Sequence, residues 1–159
     1  MKGKRRFHLF QFSEYKLARR RVVITGLGIV SPVGNSVEDA WQNVLAGRSG
    51  IDRITRFDVS SFPVQIAGEV RGFELGQYLS PKEARRMDVF IHYGMAAGIQ
   101  AIRDAGLDAS GVNPERIGVS IGSGIGGLPM IEATCDDFAA GGVRKVSPFF
   151  VPGSIINMI

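Results

Sequence analysis

A chain of 159 residues, 45% hydrophobic and 21% charged, has the make-up of an ordinary globular domain, and its 21 glycines follow no repeat, which excludes collagen-like and low-complexity readings. The formal net charge of +4 invites a nucleic-acid partner, but eight of the 19 Lys and Arg residues lie in positions 1–21 beside a single acid, Glu14. From Val22 onward eleven bases face fourteen acids, so the body of the chain is slightly acidic and no nucleic acid is expected.

Residues 1–20 read as a basic, unstructured N-terminal extension, with an organelle import signal as the alternative because the segment is Arg-rich and poor in acids. Its apolar stretch, Phe7 to Phe12, is too short and too interrupted to span a membrane, and no membrane span is expected. Residues 21–159 form the second unit. The lone cysteine, Cys135, rules out an intrachain disulfide and fits a reducing, cytoplasmic setting.

In chain order, the β-branched run at residues 21–25 predicts a buried strand that ends at Gly26. Ser36 caps a helix running to Ala46, with Asp39 at the capping-box position, Gly47 past the end, and Trp41, Val44 and Leu45 on the apolar face. Gly, Pro and charge break the pattern from Ser49 to Gly76, where residues 65–70 are the only strand expected. Ser80 and Glu83 frame a capping box with Pro81 at the first helical position, and the helix is expected to continue from Asp88 to Gly106. Gly94, Ala97, Gly98 and Ala101 recur there at spacings of three and four, a stripe narrow enough for another backbone to approach. Residues 116–121 predict a second buried strand and residues 129–140 another helix, an order that points to α/β. The uncharged stretch from Val146 to Ile159 leads us to expect a chain cut within its fold, exposing apolar surface.

Several motifs have ordinary explanations. Gly122, Gly124 and Gly127 fit the dinucleotide fingerprint, but no preceding βα unit and no strand-ending acid accompany them, so no nucleotide cofactor is expected. Glu132, Asp136 and Asp137 surround Cys135 and would raise its pKa, which suits a structural cysteine better than a nucleophile. His92 and His8 have no visible acid–base partner, and no cluster has metal-ligand spacing.

Four segments taken together carry a resemblance: residues 22–34 (VVITGLGIVSPVG), 86–88 (RMD), 122–127 (GSGIGG) and 147–152 (SPFFVP). In this order they resemble the first half of an elongating type II β-ketoacyl-acyl-carrier-protein synthase. The resemblance implies a thiolase-type α/β fold, of which this chain is the incomplete first half of a duplicated five-layer αβαβα architecture, and a homodimer. It implies a decarboxylating Claisen condensation of acyl- and malonyl-acyl carrier protein in fatty-acid synthesis, without a cofactor. The family's nucleophilic cysteine and two histidines fall beyond Ile159, so no catalytic residue is assigned here. By the same resemblance Gly124 and Ile125 line the acyl pocket, and Phe150 and Ser154 reach toward the partner subunit's tunnel. Lys82, Arg85 and Arg86, which the spacing places on one helix face, dock the acidic carrier protein, with Arg144 and Lys145 as a second contact. Against this stand core packing for the first four residues and a solvated helix face for the basic ones. The rival family members are a non-catalytic chain-length factor of a polyketide pathway, with glutamine in place of the cysteine, and a thiolase acting on coenzyme A esters.

Overall fold

The computed structural model describes residues 21–108 and 111–159; the expected N-terminal extension lies outside the described residues. Helix α1 (Val37–Leu45) starts where the sequence places it, since the Ser36 hydroxyl oxygen accepts the Asp39 N–H at 3.1 Å and so satisfies one of the first-turn donors. Trp41 and Val44 line an apolar groove of about 530 Å³ with Leu27, Ile29 and Val37, and both remain more than half exposed.

Strands β1 (Ile51–Arg53) and β2 (Ile66–Gly68) pair antiparallel, with Ile51 opposite Gly68 and Arg53 opposite Ile66. Only β2 was expected. β1 is three residues long with two charges, too short and polar to register as a strand until its partner is in place. Arg71 closes this excursion by donating to Asp52 at 2.7 Å and lying 3.7 Å from Glu69. Buried Glu69 also accepts from the Thr55 hydroxyl at 2.8 Å and the Thr55 N–H at 3.0 Å. The Thr55 side-chain and backbone bonds, aided by an Arg56 N–H and Arg71, hold the Glu69 carboxyl below its ordinary value. A carboxylate with a depressed folded pKa stabilises the protein above its unfolded value of 4.5, and that stability is lost as pH falls through the folded value. The urea midpoint is therefore expected to drop as pH is lowered below 4.5, and Thr55→Val should flatten that dependence.

The capping box at Ser80 forms in full: Ser80 N–H donates to Glu83 at 3.1 Å and Glu83 N–H to the Ser80 hydroxyl at 3.3 Å. Helix α2 (Pro81–Ala84) ends at once, however, and the expected continuation does not occur. Arg86 N–H bonds back to Glu83 in a tight turn, and Asp88 adopts extended backbone (φ −73°, ψ 162°) as the N-cap of a separate helix, α3 (Val89–Asp104).

The small-residue stripe on α3 meets the backbone its spacing anticipates. Residues 26–28 run across it so closely that a Cβ on Gly28 would collide with the Ala97 carbonyl oxygen, and one on Gly26 would sit 2.6 Å from the Ala105 nitrogen. The N–H groups of this segment go to α3 side chains: Leu27 donates to Asp104 at 2.8 Å and Ile29 to Gln100 at 3.0 Å. Gln100 in turn donates to the Asn35 carbonyl and the Tyr78 hydroxyl. Gly98 faces open space and takes no part.

The two expected buried strands are corrected. Neither residues 21–25 nor residues 116–121 join a ladder, and Val22, Ile24 and Val119 are 89%, 81% and 80% exposed. A strand is held by hydrogen bonds to a neighbouring strand, and among the described residues neither segment makes such a pairing. Helix α4 (Leu128–Gly141) matches expectation, and a short helix α5 (Phe150–Ser154) packs against it. The core is small, with Ala40, Val59, Leu79, Ile91 and Ala96 its buried hydrophobic members.

Candidate functional site: a glycine loop clamped to a helix, beside a basic groove

The glycine-rich segment 122–127 divides into two parts. Gly122 and Gly124 have open space around them, and Ile125 is 68% exposed. Gly126, at φ +90°, and Gly127 are held: the Gly127 N–H donates to the Ser154 carbonyl at 2.8 Å, and a Cβ on Gly126 would come within 2.6 Å of that same oxygen. Positive φ and close approach both require glycine at 126. Ser154 is buried, and its hydroxyl donates to the Phe150 carbonyl at 2.6 Å within α5. The four expected pocket residues thus fall on two elements that touch, with Phe150 and Ser154 on α5 and Gly124 and Ile125 on the free arm of the loop.

The dinucleotide reading fails on geometry as well as on pattern. A phosphate would need the first-turn N–H groups of α4, but the Met130 N–H already donates to the Asp88 carboxylate at 2.7 Å, so an anion occupies that end. His92 Nε2 lies 3.0 Å from the Ala84 carbonyl oxygen, bonding α3 to α2. Cys135 is exposed on α4. Among the described residues no group of three or more His, Cys, Asp or Glu is placed to hold a metal, and no helix is long and apolar enough to cross a membrane.

Lys82, Arg85 and Arg86 converge: Arg85, three positions on from Lys82 and the C-cap of α2, keeps helical backbone and bonds back to Pro81, while the Arg86 N–H bonds back to Glu83 in the turn that follows Ala84. With Ser80, Pro81 and Phe149 they line an open groove of about 550 Å³. The Arg86 guanidinium lies 4.5 Å from the Phe149 ring centroid, a cation–π contact that fixes one wall. Chemically the groove offers positive charge over an aromatic floor to an acidic surface. The Ser80 hydroxyl and N–H, and more weakly Arg86, hold the Glu83 carboxyl below its ordinary value, so it stays anionic on the cap. Arg144 and Lys145 are exposed on the turn Gly142–Lys145, before α5. Phe149 and Asp88 are the site residues that sequence reasoning passed over; both lie inside motifs that carried the resemblance.

Residues 19–159 match the β-ketoacyl synthase N-terminal domain. The chain belongs to the β-ketoacyl synthase family. It is 56% identical over 143 residues to 3-oxoacyl-acyl-carrier-protein synthase 2 of Vibrio cholerae, covering 90% of this chain and 34% of that one. A solved β-ketoacyl synthase from Burkholderia phymatum is 26% identical with a TM-score of 0.70, covering 88% of this chain and 35% of that one. The ishigamide ketosynthase/chain length factor is 33% identical with a TM-score of 0.67, covering 84% and 34%. The fold of these residues is thus that of the thiolase-type ketosynthases, and the chain spans about a third of the length of the curated relatives it matches. Within the ketosynthase motif at residues 22–34, expected as strand and loop, residues 26–29 cross α3, and within residues 122–127 Gly126 and Gly127 are clamped.

Proposed function

We propose that these residues serve a condensing enzyme of fatty-acid synthesis, which joins an acyl chain to malonyl units carried on acyl carrier protein. The observation that carries this reading is the 56% identity to a 3-oxoacyl-acyl-carrier-protein synthase 2 across 90% of the chain. In this reading residues 21–159 act as one N-terminal ketosynthase domain of a cytoplasmic homodimer. A cysteine thiolate outside these residues takes the acyl group from its carrier thioester. Loss of carbon dioxide from the malonyl thioester leaves an enolate, which attacks the acyl-enzyme carbonyl and expels the thiolate. Gly124 and Ile125 shape one wall of the acyl pocket, Phe150 and Ser154 lie toward the partner subunit, and the basic residues receive the carrier.

The 33% identity to a ketosynthase/chain length factor favours a second reading, a non-catalytic partner that sets chain length in polyketide assembly. The full-length protein separates the two. Incubated with acyl- and malonyl-acyl carrier protein, a condensing enzyme gives a 3-oxoacyl product two carbons longer, seen by mass. A chain-length factor gives none unless a catalytic ketosynthase is added. The 159-residue chain alone is expected to give no product, since its one cysteine, Cys135, is exposed on α4 rather than set on a tight turn at a helix N-terminus. Measurable elongation by it would overturn that expectation.

A further inference from the structure

Three chain segments meet at Asp88, which is 5% exposed. Its N–H donates to the Gly153 carbonyl at 3.0 Å, tying the start of α3 to α5. Its Oδ2 accepts from the Met130 N–H at 2.7 Å, so the residue that precedes α3 caps α4 instead. The side chain also fills the space over Gly127, where an added Cβ would lie 2.8 to 2.9 Å from Asp88 Cβ, Cγ and Oδ2. Gly127 then passes the contact on through its N–H bond to the Ser154 carbonyl.

The second oxygen, Oδ1, is buried and has no hydrogen-bond partner among the described residues. Leaving a buried carboxylate oxygen unmet is costly, and such groups call for a reason beyond packing. The positive end of α4 offsets part of that cost, because the carboxylate sits on its first turn. A clamp at one end of a short loop fixes where the other end stands. Here the clamped end is Gly126–Gly127 and the other end is Gly124–Ile125, where a Cβ added to Gly124 would meet open space among the described residues and Ile125 is 68% exposed.

We propose that Asp88 is a positioning residue for the acyl pocket: by fixing Gly127 and the start of α4 against α5, it sets how far Ile125 projects, and with it the acyl-chain length the pocket takes. This rests on the condensing-enzyme reading and on Gly124 and Ile125 as pocket residues.

Amide hydrogen exchange on the full-length protein is the first test, and it needs no activity. A step is expected along the loop, with the Gly127 and Met130 amides protected at least about a hundredfold more than those of Gly124 and Ile125. Asp88→Ala should abolish the step while leaving the β1–β2 hairpin amides unchanged, and Asp88→Asn, which keeps an acceptor for Met130, should largely restore it. Kinetics follow with one short and one long acyl-carrier substrate. Asp88→Ala should change the ratio of their kcat/KM values by about tenfold, and Asp88→Asn by less than about threefold. No step in the parent overturns the clamp even if Asp88→Ala fails to fold. A parent that elongates but whose length ratio survives Asp88→Ala, both substrates falling in parallel, leaves Asp88 merely structural and overturns the proposal. A parent with the step that elongates neither substrate instead refutes the condensing-enzyme reading on which the proposal rests.

Discussion

Replacing Gly28 with valine is expected to destabilise the protein by about 3 kcal/mol or more, a large share of the stability of a typical domain. The added Cβ would overlap the Ala97 carbonyl oxygen and lie 2.9 Å from the Ala101 nitrogen. Both are helix backbone atoms, which cannot move aside without breaking the bonds of α3. Lifting the segment instead would sacrifice the Leu27–Asp104 and Ile29–Gln100 hydrogen bonds, each worth about 1 kcal/mol, and somewhat more where a carboxylate accepts. Gly98, on the same helix, provides the contrast. Nothing lies within 4 Å of its added Cβ, so Gly98→Ala should stabilise by up to about 1 kcal/mol through helix propensity. Urea unfolding of the full-length protein reads both, and a Gly28→Val variant with the parent's midpoint would disprove the close crossing.

The second large effect is on carrier binding. Changing Lys82, Arg85 and Arg86 together to glutamate should weaken acyl carrier protein binding to the full-length protein by about a hundredfold at low salt, on the basis of roughly 1 kcal/mol per altered rim charge. All three side chains are exposed around one groove, and none has an acidic partner within salt-bridge distance among the described residues. The effect should shrink as salt rises, because the field of such charges is screened over about 8 to 10 Å. Arg86 also packs on Phe149, so transfer from a small acyl thioester without the carrier serves as the control for local damage. That transfer should be nearly unchanged. Unaltered carrier affinity at low salt would reduce the groove to a solvated surface.

What could be read from the sequence was local. The caps at Ser36 and Ser80 and the helix from Leu128 are decided by residues within one or two turns of each other, and they form as expected. The stripe at Gly94, Ala97 and Ala101 announced close neighbours without saying which, because the segment that crosses Ala97 and Ala101 lies about 70 residues earlier and Gly94 instead meets the Ile159 side chain, 65 positions later. The runs at 21–25 and 116–121 have strand composition, yet composition supplies no partner, and without one they stay exposed. The break after Ala84 was missed because the capping box states where a helix begins and says nothing of where it ends. Asp88 was read as part of a helix continuing from Pro81, not as the residue that precedes a separate one. Its hold on Met130 spans 42 positions, and no spacing rule reaches that far. Of the candidate site, the motif glycines and the basic residues were legible, whereas the division of the loop into a held half and a free half was not.

The crossing of residues 26–29 over α3 is also a measuring device. Gly26 lies on Ala101 and Ala105 while Gly28 lies on Ala97 and Ala101, and Leu27 and Ile29 reach Asp104 and Gln100. Each step of two along the extended segment matches a step of four along the helix, in the opposite direction. Two extended residues advance about 6.6 Å and four helical residues about 6 Å, so the two repeats stay in phase over this short run, like two rulers ruled at nearly the same interval. A slip of one residue would press Leu27 or Ile29 into a space that admits only glycine. A slip of two would offer one carboxylate or amide acceptor where two amide donors need one each. An isolated two-stranded ladder tolerates such slips because its bonds are all alike; here the alignment is written into side chains, so these four residues can settle in one place only.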